Sequence, residues 1–441
     1  MSDNDTKHKQ AETYRRQKRY ADALECYRQI IQANPHHPDR WDVWGLVLCL
    51  NQTHQYNEAL EYCIRYFNQY SDFEYLRSQY AAAIYQVHVK KTDPRGNLDN
   101  MRRAIDRICQ LTENRTDDLM RRIALLKALD IFEEIGDWQA ILNLAQKSRA
   151  QDFDLKEEKI AGENGRTITL MSQREKWYLK VTKALEKKED FGNLLRQCDS
   201  GLQDFPRNVW LRRRRAFARF HLGQAPRALT ELQEILLTKK EWFIFLDMAR
   251  IHLKSKAYQQ ALKYAVEGCL AGKNLPKPEN RWEIYFITGV ILSHSGQTEM
   301  ASRHIEFASA LREQKEWKTP AELQDWLTHL HLTPVGTIDL VKRHSELIQF
   351  WNSYRDTNLP TQTGVIKTLL KNNISGFIRT DTNCDLYFRI KSWQGDIKSC
   401  VVGARVQFNV LESFDRIKNR PSQEAVNLKL IAPPADSLRR E

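Results

Sequence analysis

The stretch KRYADALECYRQIIQANP, residues 18–35, reads as one half of a repeating unit. A turn leads into Tyr20; Ala23-Leu24, Tyr27 and Ile30-Ile31 follow, and Pro35 stops the run. Apolar residues at intervals of three and four put one face of a helix toward a neighbour. The same pattern returns at QYNEALEYCIRYFNQY (55–70), GQAPRALTELQEILL (223–237) and AYQQALKYAVEGC (257–269). A helix-length segment goes with the pattern, and it carries a small residue where two helices would touch, such as Gly45, Ala249 or Gly289. Ala23, Ala59, Ala228, Ala261 and Ala301 on the second helices complete that close approach. A lone pair cannot bury its apolar face, so the pairs must stack.

Eight helix pairs are expected, over 4–37, 38–71, 72–112, 116–150, 171–206, 208–240, 241–273 and 281–313. The third and fourth are the least regular, and the third carries the polar insertion KKTDPRGN (90–97). Residues 151–170 break the period and read as a loop or partly ordered insertion within a repeat domain of 1–315. The pattern resembles the tetratricopeptide repeat family, whose period is about 34 residues. That resemblance implies an α-solenoid that recruits protein partners. Residues 316–357 read as connector helices. Thr319 and Pro320 open the first, and a second over 337–355 sets Leu340, Leu347 and Tyr354 seven apart with His344 and Trp351 on the same face. This spacing suits a cap on the solenoid and also a short coiled coil with a second copy. DTNLPTQT (356–363) is expected as a linker.

From Gly364 the period becomes two. GVIKTLL (364–370), SGFIRT (375–380), DLYFRI (385–390), RVQFNVL (405–411) and AVNLKLI (425–431) are the candidate strands. Five short strands suit a small closed barrel, over 361–432, with a tail at 433–441. The expected fold class is therefore mainly α, a tetratricopeptide-type solenoid followed by a five-stranded β-barrel. The last segment resembles a cold-shock domain, a barrel of the oligonucleotide-binding type. Gly364-Val365-Ile366-Lys367, Gly376-Phe377-Ile378 and Asp385-Leu386-Tyr387-Phe388 match its first three strands, with Arg389 replacing a His. Gly403 to Phe408 match the fourth strand, and Ala425-Val426 loosely match the closing one. Thr368 stands where most members have Trp, and Ile374-Ser375 where they have Gly-Phe, so the ligand platform is reduced.

Alternation puts Phe377 and Arg379 on one face of the second strand and Tyr387 and Arg389 on that of the third, with Lys367 joining from the first. Trp393, in the following loop, is expected as an additional stacking residue. Two aromatics among three cations stack bases and neutralise phosphates without demanding sequence, so the expected ligand is single-stranded RNA or DNA.

A net charge of +12 and a pI near 9.2 favour an anionic partner. The densest basic run is Trp210-Leu211-Arg212-Arg213-Arg214-Arg215, and four successive arginines fan around a helix. Arg213 and Phe217 are expected on the concave side, the other arginines solvated or bridging repeats. With Arg250 and Lys254 on the equivalent helix of the next pair, they would line a groove for an acidic peptide or an RNA backbone. A solvated face explains the same residues.

A polar N-terminus and the lack of any run of membrane-spanning length lead to the expectation of a cytoplasmic protein. The eight cysteines are scattered singly without CxxC, which points to reduced core thiols, and no metal or cofactor is expected. The sequence holds no P-loop, HExxH, GxSxG or dinucleotide turn. The expectation is a non-catalytic adaptor, with a protein on the solenoid and nucleic acid on the barrel. The alternative is a pure scaffold whose barrel docks protein or dimerises. Oligomeric state and partner identity stay open.

Overall fold

The computed structural model describes residues 3–161, 167–332, 339–370, 374–415 and 420–432. The middle of the 151–170 insertion, the first residues of the helix expected from 337, and the tail lie outside them. The chain divides into two compact units, Met1–Ala218 and Arg219–Glu441.

The first unit is built from α1 (Asp3–Arg16), α2 (Tyr20–Ala33), α3 (Arg40–Gln52), α4 (Tyr56–Tyr66), α5 (Glu74–His88), α6 (Asp99–Leu111), α7 (Leu119–Ile135), α8 (Trp138–Gln146), α9 (Gln173–Lys187), α10 (Phe191–Asp204) and most of α11 (Val209–His221). Carboxylate and hydroxyl side chains start several of these helices. Asp39 accepts from the Trp41 N–H, Asp118 from Met120 and Arg121, and Ser172 from Glu175, which satisfies amides that have no helical partner. Gly45 on α3 lies against the ring of Tyr27 on α2, and a Cβ there would overlap it. Within the insertion expected as a loop or partly ordered segment, β1 (Glu158–Ala161) pairs with β2 (Thr167–Leu170), antiparallel with Ala161 opposite Thr167. Thr167, Ile168 and Thr169 are β-branched, which favours extended backbone.

The second unit continues with α12 (Ala225–Thr238), α13 (Trp242–Lys254), α14 (Tyr258–Gly272), α15 (Trp282–His294), α16 (Thr298–Glu313), α17 (Ala321–His329) and α18 (Leu340–Asn358). α15 is buried continuously from Ile284 to Leu292, as befits a helix covered on several sides. A Cβ on Gly289 would stand 2.6 Å from Cγ1 of Ile305 and 3.0 Å from the carbonyl oxygen of Ala301, so the close approach of α15 and α16 needs glycine there. The apolar face of α18 is used within the chain. Leu347 and Trp351 are fully buried, and α18 packs on α14 and α16.

One turn recurs across both units. Lys18, His54, Gly136, Glu189, Gly223, Lys256 and Gly296, each between the two helices of a pair, all have positive φ. The amide of the following residue returns to the carbonyl five residues back, as from Arg19 to Tyr14 (2.9 Å) and from Gln297 to Leu292 (2.9 Å). This is the Schellman closure, which satisfies carbonyls at a helix end. The pair α5–α6 departs from it, with the 90–97 insertion lengthening its connection.

The barrel follows α18 after Leu359 and Pro360. Residues 356–363 are thus the end of α18, a two-residue joint and the start of the first barrel strand rather than a linker of eight residues. The Asn358 side chain caps the helix by donating to the Tyr354 carbonyl, and Val410 donates its amide to Pro360 at 2.8 Å. Its strands are β3 (Thr361–Leu369), β4 (Ser375–Thr380), β5 (Asp385–Arg389), a two-residue β6 (Trp393–Gln394), β7 (Arg405–Asp415) and β8 (Arg420–Ala432). β3 lies antiparallel between β4 and β7, β4 continues to β5, and β7 to β8; a parallel pairing of β5 with β8 closes the ring. Ile366, Ile378, Phe388, Val406, Phe408 and Leu428 fill the interior.

Candidate nucleic-acid interface

β4 and β5 place Phe377 and Tyr387 opposite one another in register. Their rings meet edge to face, with centroids 5.8 Å apart, and both are half-buried. Ile378, Leu386 and Phe388, the residues between, are buried in the barrel. The alternation read from the sequence therefore divides these strands as the structure does. On β3 the register slips between Ile366 and Thr368, so Lys367 is the extra residue of a bulge. A bulge turns successive side chains outward, and Lys367 and Thr368 are both exposed.

The cations beside the rings are not bare. Lys367 donates Nζ to Asp385 Oδ2 at 2.6 Å, and Arg379 donates Nη2 to the same oxygen at 3.1 Å and Nε to Oδ1. Hydrogen bonds from Arg379 and then Lys367 hold the Asp385 carboxyl down to about 2, so it stays ionised across the neutral range. Arg379 also reaches Asn383 Oδ1 at 3.0 Å, and Arg389 Nε lies 3.3 Å from Glu424 Oε1. Sequence reading missed Asp385 and Glu424 as members of this face. Asp385 was legible, because antiparallel pairing sets it opposite Arg379. Glu424 comes beside Tyr387 through the parallel closure of β5 on β8, which no local pattern announces.

Three other expectations are corrected. Trp393 is not on the platform: it is 8% exposed, belongs to the barrel core, and donates Nε1 to the Asp396 carbonyl at 3.0 Å. β6 draws it inward by pairing it with Leu428. Arg213 does not line an open groove, since its side chain is 14% exposed and lies 3.6 Å from Glu186 on α9. Phe217 packs edge-on against Phe191, with ring centroids 5.9 Å apart. In the second unit Arg250 pairs with Glu283 of the next first helix, and the exposed Lys254 lies 5.2 Å over the Phe220 ring. Carboxylates one repeat away answer both arginines, which is the solvated or bridging role rather than a basic groove.

The tetratricopeptide repeat model matches residues 5–37, the span of α1 and α2. No curated protein matches the sequence. Among solved structures, a tetratricopeptide repeat protein from Parabacteroides merdae is 12% identical, with 68% of this chain and 98% of that one covered and a TM-score of 0.29. The human IFIT1 dimer with m7Gppp-AAAA is 14% identical, with 79% of this chain and 80% of that one covered and a TM-score of 0.31. Superpositions this loose say nothing about the site. The helical part of the chain is a tetratricopeptide-like solenoid whose first pair matches the family's repeat directly, and a closed five-strand barrel follows it.

Proposed function

We propose that the protein is a non-catalytic cytoplasmic adaptor: the solenoid holds a protein partner and the barrel binds single-stranded RNA or DNA. The observation that carries the second half is the Phe377–Tyr387 ring pair, flanked by Lys367, Arg379 and Arg389. It lies on the second and third strands of the closed five-strand barrel, which we read as one of the oligonucleotide-binding type. In that fold the same strand pair forms the ligand face. The cold-shock resemblance points the same way. Among the described residues no helix is long and apolar enough to cross a membrane.

The test is polarisation of labelled dodecamers, single-stranded and duplex, titrated with the full chain at two salt concentrations. Single strands are expected to bind, more weakly as salt rises. Phe377→Ala and Tyr387→Ala are each expected to cost about 1–3 kcal/mol of binding, the worth of one stacked base. Salt-independent binding, or affinity indifferent to both substitutions, sinks the barrel reading.

Asp385→Asn tests the cations separately. Removing that charge frees Lys367 and Arg379, so affinity for single strands should rise a few-fold. The slope of log K on log salt should steepen by about 0.7 for each cation that takes up a phosphate. An unchanged slope means these cations do not touch the strand. The second reading, a protein-docking barrel, is favoured by the carboxylates that already neutralise this face. It gains if no strand binds at low salt.

A further inference from the structure

We propose that the groove between α4 and α6 is the docking site for an acidic amphipathic helix of a protein partner. The inference rests on the partner-binding half of the function above and gives that partner its chemistry.

The groove has a volume of 280 Å³ and an apolar floor, made by Leu60 and Ile64 of α4 and by Tyr80 and Ile84 of α5. Ile64 is 59% exposed, a large aliphatic side chain left in water. Arg103 and Arg107, one turn apart on α6, and His88 at the end of α5 line it as well. The Arg107 guanidinium sits 4.7 Å over the ring of Phe67 and 5.6 Å over that of Tyr80. The two rings hold it in place, with Nη1 3.3 Å from Gln110 Oε1. Arg103 donates to Asn100 Oδ1 at 2.7 Å. Among the described residues neither arginine has a carboxylate within 4.0 Å.

The rest of α6 is different. Arg102 pairs with Asp137 at 2.8 Å, and Asp106 pairs with Lys147. One face of the helix therefore has its charges answered within the chain, while the face over the groove does not. The long α5–α6 connection leads on from His88 and adds exposed Lys90, Lys91 and Arg95 against Asp93. Two guanidinium groups without a carboxylate partner favour an acidic ligand, and the apolar floor favours one with anchoring side chains. An amphipathic helix with aliphatic anchors at i, i+3, i+4 and i+7 and Glu or Asp beside them supplies both. A nucleic-acid backbone would satisfy the arginines and leave the floor unfilled.

The probe is a labelled 18-residue helical peptide with Leu and Ile on one face and Glu on the other. It is compared, on the full chain, with the same peptide carrying Lys for Glu and with a single-stranded uridine dodecamer. The Glu peptide is expected to saturate and the Lys peptide not to bind. Arg103→Glu with Arg107→Glu is expected to weaken the Glu peptide about tenfold or more and to admit the Lys peptide. Ile64→Asp, at an exposed position outside the core, should weaken the Glu peptide as well. Equal binding of the two peptides, or binding of neither, overturns the proposal. A Glu peptide held equally well by both variants sinks the groove but leaves the solenoid a partner-binding array. Dodecamer affinity that falls with the arginine pair and not with Ile64→Asp would make it a nucleic-acid site. Phe377→Ala should leave peptide binding unchanged, which separates this groove from the barrel.

Discussion

Arg214→Ala is expected to lower the stability of the first unit by about 3 kcal/mol, the low end of the cost of stripping one partner from a buried ion pair. Arg214 is 7% exposed. Its Nε donates to Glu186 Oε2 at 2.9 Å, and its Nη1 to the Leu179 carbonyl and to Thr182 Oγ1, each at 3.0 Å. One guanidinium thus ties α11 to three successive turns of α9. The low end applies because Glu186 keeps Arg213 at 3.6 Å when Arg214 is gone. Arg214→Lys should recover little, since an ammonium cannot supply the fork of donors that reaches all three acceptors. Arg214→Met with Glu186→Met should recover much of the loss, because a buried pair contributes little net stability over well-packed apolar groups. Chemical denaturation followed through Trp177, which is 3% exposed in this unit, reads the effect. A loss below about 1 kcal/mol, the range of an exposed pair, would show that Arg214 is not buried as described.

The run of four arginines shows how much of the molecule was legible. That they fan around α11 follows from helical spacing alone, and so does the idea that some bridge repeats. Which one is buried does not follow, because it depends on Glu186 and Thr182 standing one repeat back on α9. The same division holds elsewhere. Gly289 and the Ala301 opposite it were legible because close helix approach tolerates only small side chains, and that demand repeats with the period; that Gly45 instead makes room for the Tyr27 ring of the preceding pair was not. Phe377, Tyr387 and the buried residues between them were legible because a strand alternates. Trp393 was not, because a residue that follows a strand carries no period to say which way it points. Asp385 and Glu424 changed the electrostatics of the face, and Glu424 arrives through a contact between strands distant in sequence. The turns with positive φ at Lys18, His54, Glu189 and Lys256 also had no signal, since none uses the glycine that usually marks them.

No pattern around His304 singles it out, and it makes the second large effect. It is fully buried on α16, with Nδ1 2.7 Å from the Met300 carbonyl and Nε2 accepting the Trp351 Nε1–H at 2.8 Å. An indole N–H can only donate, so the bond from α18 requires a neutral imidazole with its proton on Nδ1. Trp351 also stacks on Tyr285, with centroids 5.7 Å apart and planes 5° apart. Trp351→Ala is therefore expected to cost about 3–5 kcal/mol in the second unit, the range for emptying a buried aromatic site. Trp351→Phe keeps most of the ring but leaves Nε2 unpaired, for about 1–3 kcal/mol.

The pH dependence separates His304 from its neighbour. Burial pushes His304 down to about 4, from an ordinary value of 6.5, and the nearby positive Arg343 adds to the shift against the bond to Met300. The unfolded chain takes up a proton below pH 6.5 while the folded one resists until about 4, so stability falls as pH drops through that window. The slope approaches about 1.4 kcal/mol per unit, for a loss of about 1.6 kcal/mol between pH 6.5 and 5, before most carboxylates titrate. His344, stacked on Phe307 and also lowered by burial, acts in the same direction, so the quantity to read is the difference between the wild type and His304→Gln. Denaturation curves at pH 6.5 and 5 should show the wild type losing about 1.6 kcal/mol more than that variant. Equal losses would mean that His304 is protonated in the folded protein at pH 5, and that the hydrogen bond holding α18 to α16 does not form as described.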